Sequence, residues 1–169
     1  IKEYIEDNYS ESTVLDEVGA VFEKNKVQLP VNMPSMDKIK PTTNALDTWV
    51  EKYKGPYVLS CKLDGVSGLY YSKDGKRKLY TRGNGSVGQD VSHLLKYVKG
   101  IPDIKDVVVR GEFIISKNVF EDKYSKQFSN ARNLVAGIVN SKKIDKKAND
   151  VVFMSYEMIE PQLKPGMQM

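Results

Sequence analysis

The chain has 169 residues, 40% of them hydrophobic and 28% charged, the profile of one globular unit long enough to bury a core. No run approaches the roughly 20 apolar residues of a membrane-spanning helix, and the charged start (Lys2, Glu3, Glu6, Asp7) lacks the apolar stretch of a secretory signal. A single cysteine, Cys61, excludes an intrachain disulfide, and with His93 as the only histidine a Cys/His metal cluster is excluded too, so a reducing, cytosol-like compartment fits.

The net charge of +4 conceals an asymmetry. Residues 1–50 hold 5 Lys/Arg against 9 Asp/Glu, net −4, whereas residues 51–150 hold 20 against 11, net +9. Positive charge concentrated in mid-chain suits a polyanion, because neutralising phosphates releases their counterions. A solvated lysine surface accounts for the same charge equally well.

In chain order, residues 13–26 carry Val14, Leu15, Val18, Val21 and Phe22 at helical spacing. Residues 29–41 contain three prolines and read as an extended connector. Thr42 or Thr43 is placed to cap a second helix running to about Tyr53, with Ala45, Leu46, Trp49 and Val50 along one side. Residues 57–62, 67–72 and 78–82 are rich in β-formers, and Asp74-Gly75 marks a hairpin turn between the last two. Residues 89–98 read as helical, 107–115 as a strand, 119–124 and 130–139 as short helices, and 151–159 as a final strand. Strands joined mainly by hairpins, with helices at the start and in the connections, predict an antiparallel α+β domain rather than a doubly wound parallel sheet.

Four groups of residues carry chemistry. In Lys62-Leu63-Asp64-Gly65, placed where a strand is expected to end in a turn, the lysine is a nucleophile if burial or a neighbouring cation frees its amine at neutral pH. Alone, such a lysine is more often a surface residue. Thr81-Arg82-Gly83-Asn84-Gly85, followed by Gly88, pairs glycines that let the backbone approach a ligand with an arginine fork for phosphate; a glycine-rich hairpin is the plainer reading. Val109-Arg110-Gly111-Glu112 reads as a strand ending in charges. Its glutamate is able to accept from ribose hydroxyls or to help hold a metal ion, or simply to form a surface ion pair. In Ser129-Asn130-Ala131-Arg132-Asn133, Asn130 caps a helix whose first turn contains Arg132. An arginine there opposes the helix dipole, which makes sense beside an anionic partner.

In this order and spacing the groups resemble the adenylation domain of NAD+-dependent DNA ligases, within the covalent nucleotidyltransferases. The resemblance covers about residues 16–156 and includes the run from Thr81 to Asp90 and the segment from Ser129. Met33-Pro34-Ser35-Met36-Asp37 is similar to the family's Met-Leu-Ser-Leu segment, which passes over the bound nucleotide. The Thr-Arg-Gly motif about twenty residues past the lysine separates this family from ATP-dependent ligases and capping enzymes. In those relatives an arginine typically follows Lys-x-Asp-Gly-x, where Ser67 stands here.

The resemblance implies an antiparallel nucleotidyltransferase fold, present in part. Residues 1–56 would form the helical part and connector, and residues 57–169 the nucleotide-binding β core, incomplete at its C-terminal end. It implies that Lys62 takes AMP from NAD+ as a phosphoramide, that AMP passes to the 5′-phosphate of a DNA nick, and that the 3′-hydroxyl displaces it. Lys62 and Asp64 carry over as catalytic, and Ser35, Met36, Lys62, Arg82, Glu112 and Tyr156 as NAD-binding. Arg82 and Arg132 carry over as contacts to nicked double-stranded DNA, and Glu112 as a candidate ligand of the expected Mg2+. Tyr156 falls where an aromatic lies against adenine, although a core aromatic on a strand is an equal alternative. A monomer without membrane attachment, in a bacterial cytosol or a viral replication compartment, is the matching expectation.

Ser60 stands where the family usually has glutamate, Ala131 where it has proline, and Asn140 where it has a second arginine. Such changes are expected of a divergent member, from a large DNA virus or an unusual bacterium. The nicotinamide-binding subdomain, the downstream Asp-Gly-x-x-x-Lys motif, and the OB-fold and zinc-finger regions have no counterpart in these 169 residues. A fragment or degenerate paralogue, unable to complete ligation alone, is therefore expected. The competing readings are an ATP-dependent ligase or capping-type enzyme, and a non-catalytic nucleic-acid-binding relic of the same fold.

Overall fold

Asp74 and Gly75 both take positive φ (52° and 70°), the requirement of a type I′ turn, and the strands they join leave antiparallel. These are β2 (Val66–Lys73) and β3 (Lys76–Thr81), the first half of a four-stranded antiparallel sheet. The computed structural model describes residues 26–36, 38–40 and 43–168. Beyond β2 the sheet continues with β5 (Val107–Ile114) and β6 (Val152–Glu160), giving the order β3-β2-β5-β6. Two short strands, β1 (Lys26–Gln28) and β4 (Val87–Gln89), form a separate antiparallel pair. The helices are α1 (Ala45–Lys52), α2 (Lys117–Lys123) and α3 (Ala131–Val139). Among the described residues no helix is long and apolar enough to cross a membrane.

Alternation places Tyr70, Leu79, Val107, Val109, Phe113 and Phe153 on one face of the sheet, where α3 covers them with Leu134, Val135, Ile138 and Val139. The opposite face packs Leu69 and Val108 against Leu29 and Met33 of the connector. Coverage on both sides explains why Val107, Val108 and Val109 are all buried, a continuous apolar run and not an alternating one. Backbone bonds from Leu29 N to Ser86 O (2.8 Å) and from Met33 N to Gly85 O (2.7 Å) fasten the connector across that face.

Several expectations need correction. The helix expected over residues 13–26 lies outside the described residues except for Lys26, which is in β1. Residues 57–62 are no strand: they run irregular and exposed, with Leu59 91% accessible, tied to α1 through the Trp49–Tyr57 ring contact at 5.2 Å. Strand propensity needs a neighbour to pair with, and among the described residues none lies beside them. Residues 89–98 form a short 3-10 turn (Ser92–Leu94) and not a helix, because Asp90 bridges to Tyr80 and Ser92 Oγ accepts from Leu79 N. α1 forms where expected, but its N-cap is Asn44 and no side chain caps it: Thr43 Oγ1 accepts only from Ala45 N, at 3.3 Å, and the helix buries none of its residues.

Candidate active site

Lys62-Leu63-Asp64-Gly65 precedes β2 and does not follow a strand. Its glycine lies hard against β5: a Cβ on Gly65 would stand 2.0 Å from the Phe113 carbonyl oxygen. Only a hydrogen side chain allows that approach, so Gly65 fixes where the motif meets the sheet. Asp64 points to the first turn of α3, where Arg132 Nη1 meets its Oδ1 at 3.2 Å. The helix is capped as expected, with Asn130 Oδ1 accepting from Asn133 N at 2.8 Å. Lys62 is exposed and, among the described residues, no side chain is bonded to it.

Arg82 follows β3. Its backbone N–H donates to Ser67 O at 2.9 Å, and its Nη1 donates to Ser35 Oγ at 3.0 Å. The loop after it turns on Gly83, whose φ of +56° and whose closeness to Val87 O (a Cβ here would stand 1.9 Å away) leave no room for a larger residue. Asn84 Oδ1 then accepts from both Ser86 N and Val87 N, closing the loop on itself. A cavity of about 670 Å3 opens here, lined by Arg82 and Arg132 together with Ser67, Asn84 and Asn140.

Arg110 and Glu112 lie within β5 and not at its end. Glu112 is 7% exposed and directly opposite Ser67, whose hydroxyl donates to its Oε2 at 2.9 Å. Arg110 pairs with Glu157 (Nη1 to Oε2, 2.8 Å) and donates to Asn32 O at 3.4 Å. Between Arg110–Glu157 and Gly111–Ser155 the β5–β6 register slips, and Tyr156 is the residue left over. Burial pushes its phenol up from the usual value, and the negative charge of Glu112 adds to that. Tyr156 is 39% exposed, so the strand aromatic is not a core residue.

The structure thus gathers Glu112, Ser67 and Tyr156 on the face crossed by the connector, ties Arg82 to Ser35, and ties Asp64 to Arg132. Lys62 and Met36 are exposed, Met36 by 65%, neither lines the cavity, and among the described residues no hydrogen bond or ion pair ties either to these groups. Among the described residues no three His, Cys, Asp or Glu side chains cluster as a metal cage. A Mg2+ ion that keeps its waters and takes phosphate oxygens needs only one or two carboxylates, and Glu112 is the buried one available. Ser67 was legible only as the absence of an arginine, because its partnership with Glu112 comes from strand pairing across 45 residues.

An antiparallel sheet with α3 on one face and the connector across the other, over a small apolar cluster flanked by Ser67, Glu112 and Tyr156, makes this an α+β domain. Residues 23–167 match the NAD-dependent DNA ligase adenylation domain, and the chain belongs to that family. It is 46% identical over 166 residues to a DNA ligase of Acanthamoeba polyphaga mimivirus, covering 94% of this chain and 26% of that protein. A putative DNA ligase of Invertebrate iridescent virus 6 is 43% identical over 80% of this chain and 23% of its own. The DNA ligase of Clostridioides difficile (strain 630) is 39% identical over 68% of this chain and 20% of its own. The chain spans about a quarter of the length of the viral relatives it matches.

Proposed function

We propose that this chain is the nucleotide-binding part of an NAD+-dependent DNA ligase, residues 1–56 serving as its helical approach and connector and residues 57–169 as its β core. The observation that carries the reading is that Ser67 joins two groups: it bonds Glu112, which shares the connector face with Tyr156, and it lines the adjoining cavity with Arg82 and Arg132, the latter paired with Asp64 of the Lys62–Gly65 segment. In this reading the neutral amine of Lys62 attacks the α-phosphorus of NAD+. A P–N bond forms, the P–O bond to nicotinamide mononucleotide breaks with its electron pair, and the amine proton passes to water. An oxygen of the 5′-phosphate at a DNA nick then takes the AMP and frees Lys62. Finally the 3′-hydroxyl attacks that phosphate and displaces AMP.

The chain's own residues hold and orient. The buried carboxylate of Glu112 accepts from ribose hydroxyls, Tyr156 stacks on adenine, and Ser35 and Met36 lie along the nucleotide. Arg82 and Arg132 hold phosphate oxygens of the nucleotide or the nicked duplex, and Asp64 orients Arg132. Mg2+, when bound near Glu112, would neutralise charge on the phosphates. The acceptor is nicked double-stranded DNA, taken by a monomer in the cytosol or a viral replication compartment.

Incubating the full-length natural protein with Mg2+ and either NAD+ or ATP, then measuring intact mass, tests this. A gain of one AMP from NAD+ only, mapped to Lys62 and lost in Lys62→Ala, is expected. A gain from ATP only would reassign the nucleotide. No gain from either would leave a non-catalytic nucleic-acid-binding domain.

A further inference from the structure

Glu112 is the deepest charged group on the face that the connector crosses, and among the described residues no cation pairs with it. Arg110, its neighbour in β5, is engaged with Glu157, so the only short side-chain bond to the carboxylate is the one from Ser67 Oγ. A carboxylate has about four lone-pair directions, so this one donor is what distinguishes one rotamer of Glu112 from the others and still leaves acceptor capacity over. The bond from Ser67 occupies Oε2, and no hydrogen bond from the described residues takes Oε1. Ser67 is itself held twice, by its place opposite Glu112 in the β2–β5 ladder and by its carbonyl, which accepts from Arg82 N. One residue therefore links the carboxylate to the loop that carries Arg82, at the wall of the cavity. An arginine at this position would neutralise Glu112, whereas a serine fixes its orientation and leaves its charge in place.

We infer that Ser67 is a positioning residue for the nucleotide: it holds the Glu112 carboxylate in the rotamer that receives the ribose and so sets NAD+ affinity without touching the reacting phosphorus. This rests on the reading of Glu112 as the ribose-binding acid. A hydrogen bond to a charged acceptor in a buried site is worth about a factor of ten in binding when removed.

The test is single-turnover formation of the Lys62–AMP adduct by the full-length natural protein across NAD+ concentrations. Ser67→Ala is expected to raise the half-saturating NAD+ concentration about tenfold while changing the saturating rate less than about threefold. Ser67→Thr, which keeps the hydroxyl, should recover most of the affinity. Glu112→Gln should weaken NAD+ binding, and adding Ser67→Ala to it should cost little more, because Ser67 acts through that carboxylate. Unchanged affinity in Ser67→Ala beside a damaged Glu112→Gln would overturn the role of Ser67 alone. Full additivity in the double variant would do the same. An unaffected Glu112→Gln would remove the ribose reading and this inference with it. Matching thermal melts for all four proteins keep a folding defect from imitating either result.

Discussion

Replacing Arg132 by alanine separates what this side chain does for the fold from what it does for a ligand. Its ion pair with Asp64 spans 3.2 Å, but the two side chains are 58% and 78% exposed. Solvent screening holds such a pair to less than about 1 kcal/mol. The arginine also opposes the dipole in the first turn of α3, so its removal returns roughly 0.3–1 kcal/mol. The cap from Asn130 survives the change. These terms nearly cancel, and at about 2–4 °C per kcal/mol for a domain of this size the melting temperature should move by under about 4 °C. A charge-assisted bond from Arg132 to a phosphate is worth about 1.5–3 kcal/mol, or roughly 10- to 150-fold in Kd. Kd for a nicked duplex, measured for the full-length natural protein at several salt concentrations, should rise by that factor. The salt slope should become shallower by about 0.9. A melting temperature lowered by several times the stated shift would make Arg132 a structural residue. An unchanged Kd and slope would take it out of the interface.

Gly65→Ala should destabilise by about 1–3 kcal/mol or more, since its Cβ would stand 2.0 Å from the backbone oxygen of Phe113; denaturant unfolding reads this directly. Tyr124→Phe removes the hydroxyl that donates to Asp150 at 2.6 Å and should cost about 1.5 kcal/mol in the same measurement. The pair also predicts both ends of the pH–stability curve. The bond from Tyr124 is the largest influence holding the Asp150 carboxyl below its usual 3.8, against burial, so its stabilisation is complete above that value and is lost as pH falls through the depressed folded one. Burial first, and then the bond to Asp150, push Tyr124 from 10.0 up to about 12, so its contribution is complete below pH 10 and is lost as pH rises towards 12. Melting curves of Tyr124→Phe should be flatter than the parent's in both windows, and equal slopes would detach the pair from stability.

The sheet was readable where local chemistry was self-sufficient. Asp74-Gly75 specifies its own turn, the apolar run at residues 107–115 needs two covered faces, and Asn130 caps its helix with its own side chain. The failures came where a neighbour decides. Residues 57–62 have strand-like side chains but no ladder, and residues 89–98 have helical spacing but a bridge and a hydroxyl that divert the backbone. Of the site, the residue types and their order along the chain were legible. Which of them touch was not, because those contacts join residues 35 and 82, 64 and 132, and 67 and 112.

Turns, caps and two-sided apolar runs are fixed within a few residues, and with the motif order they determined the α+β class and the family from sequence. Glu112 lies mid-strand and buried, Tyr156 owes its place to a register slip, and Ser67 owes its role to the residue paired across from it. Such facts belong to strand pairing, which is non-local: a shift of one residue turns every side chain to the opposite face. Only the tertiary structure could decide which polar groups share the face that the connector crosses.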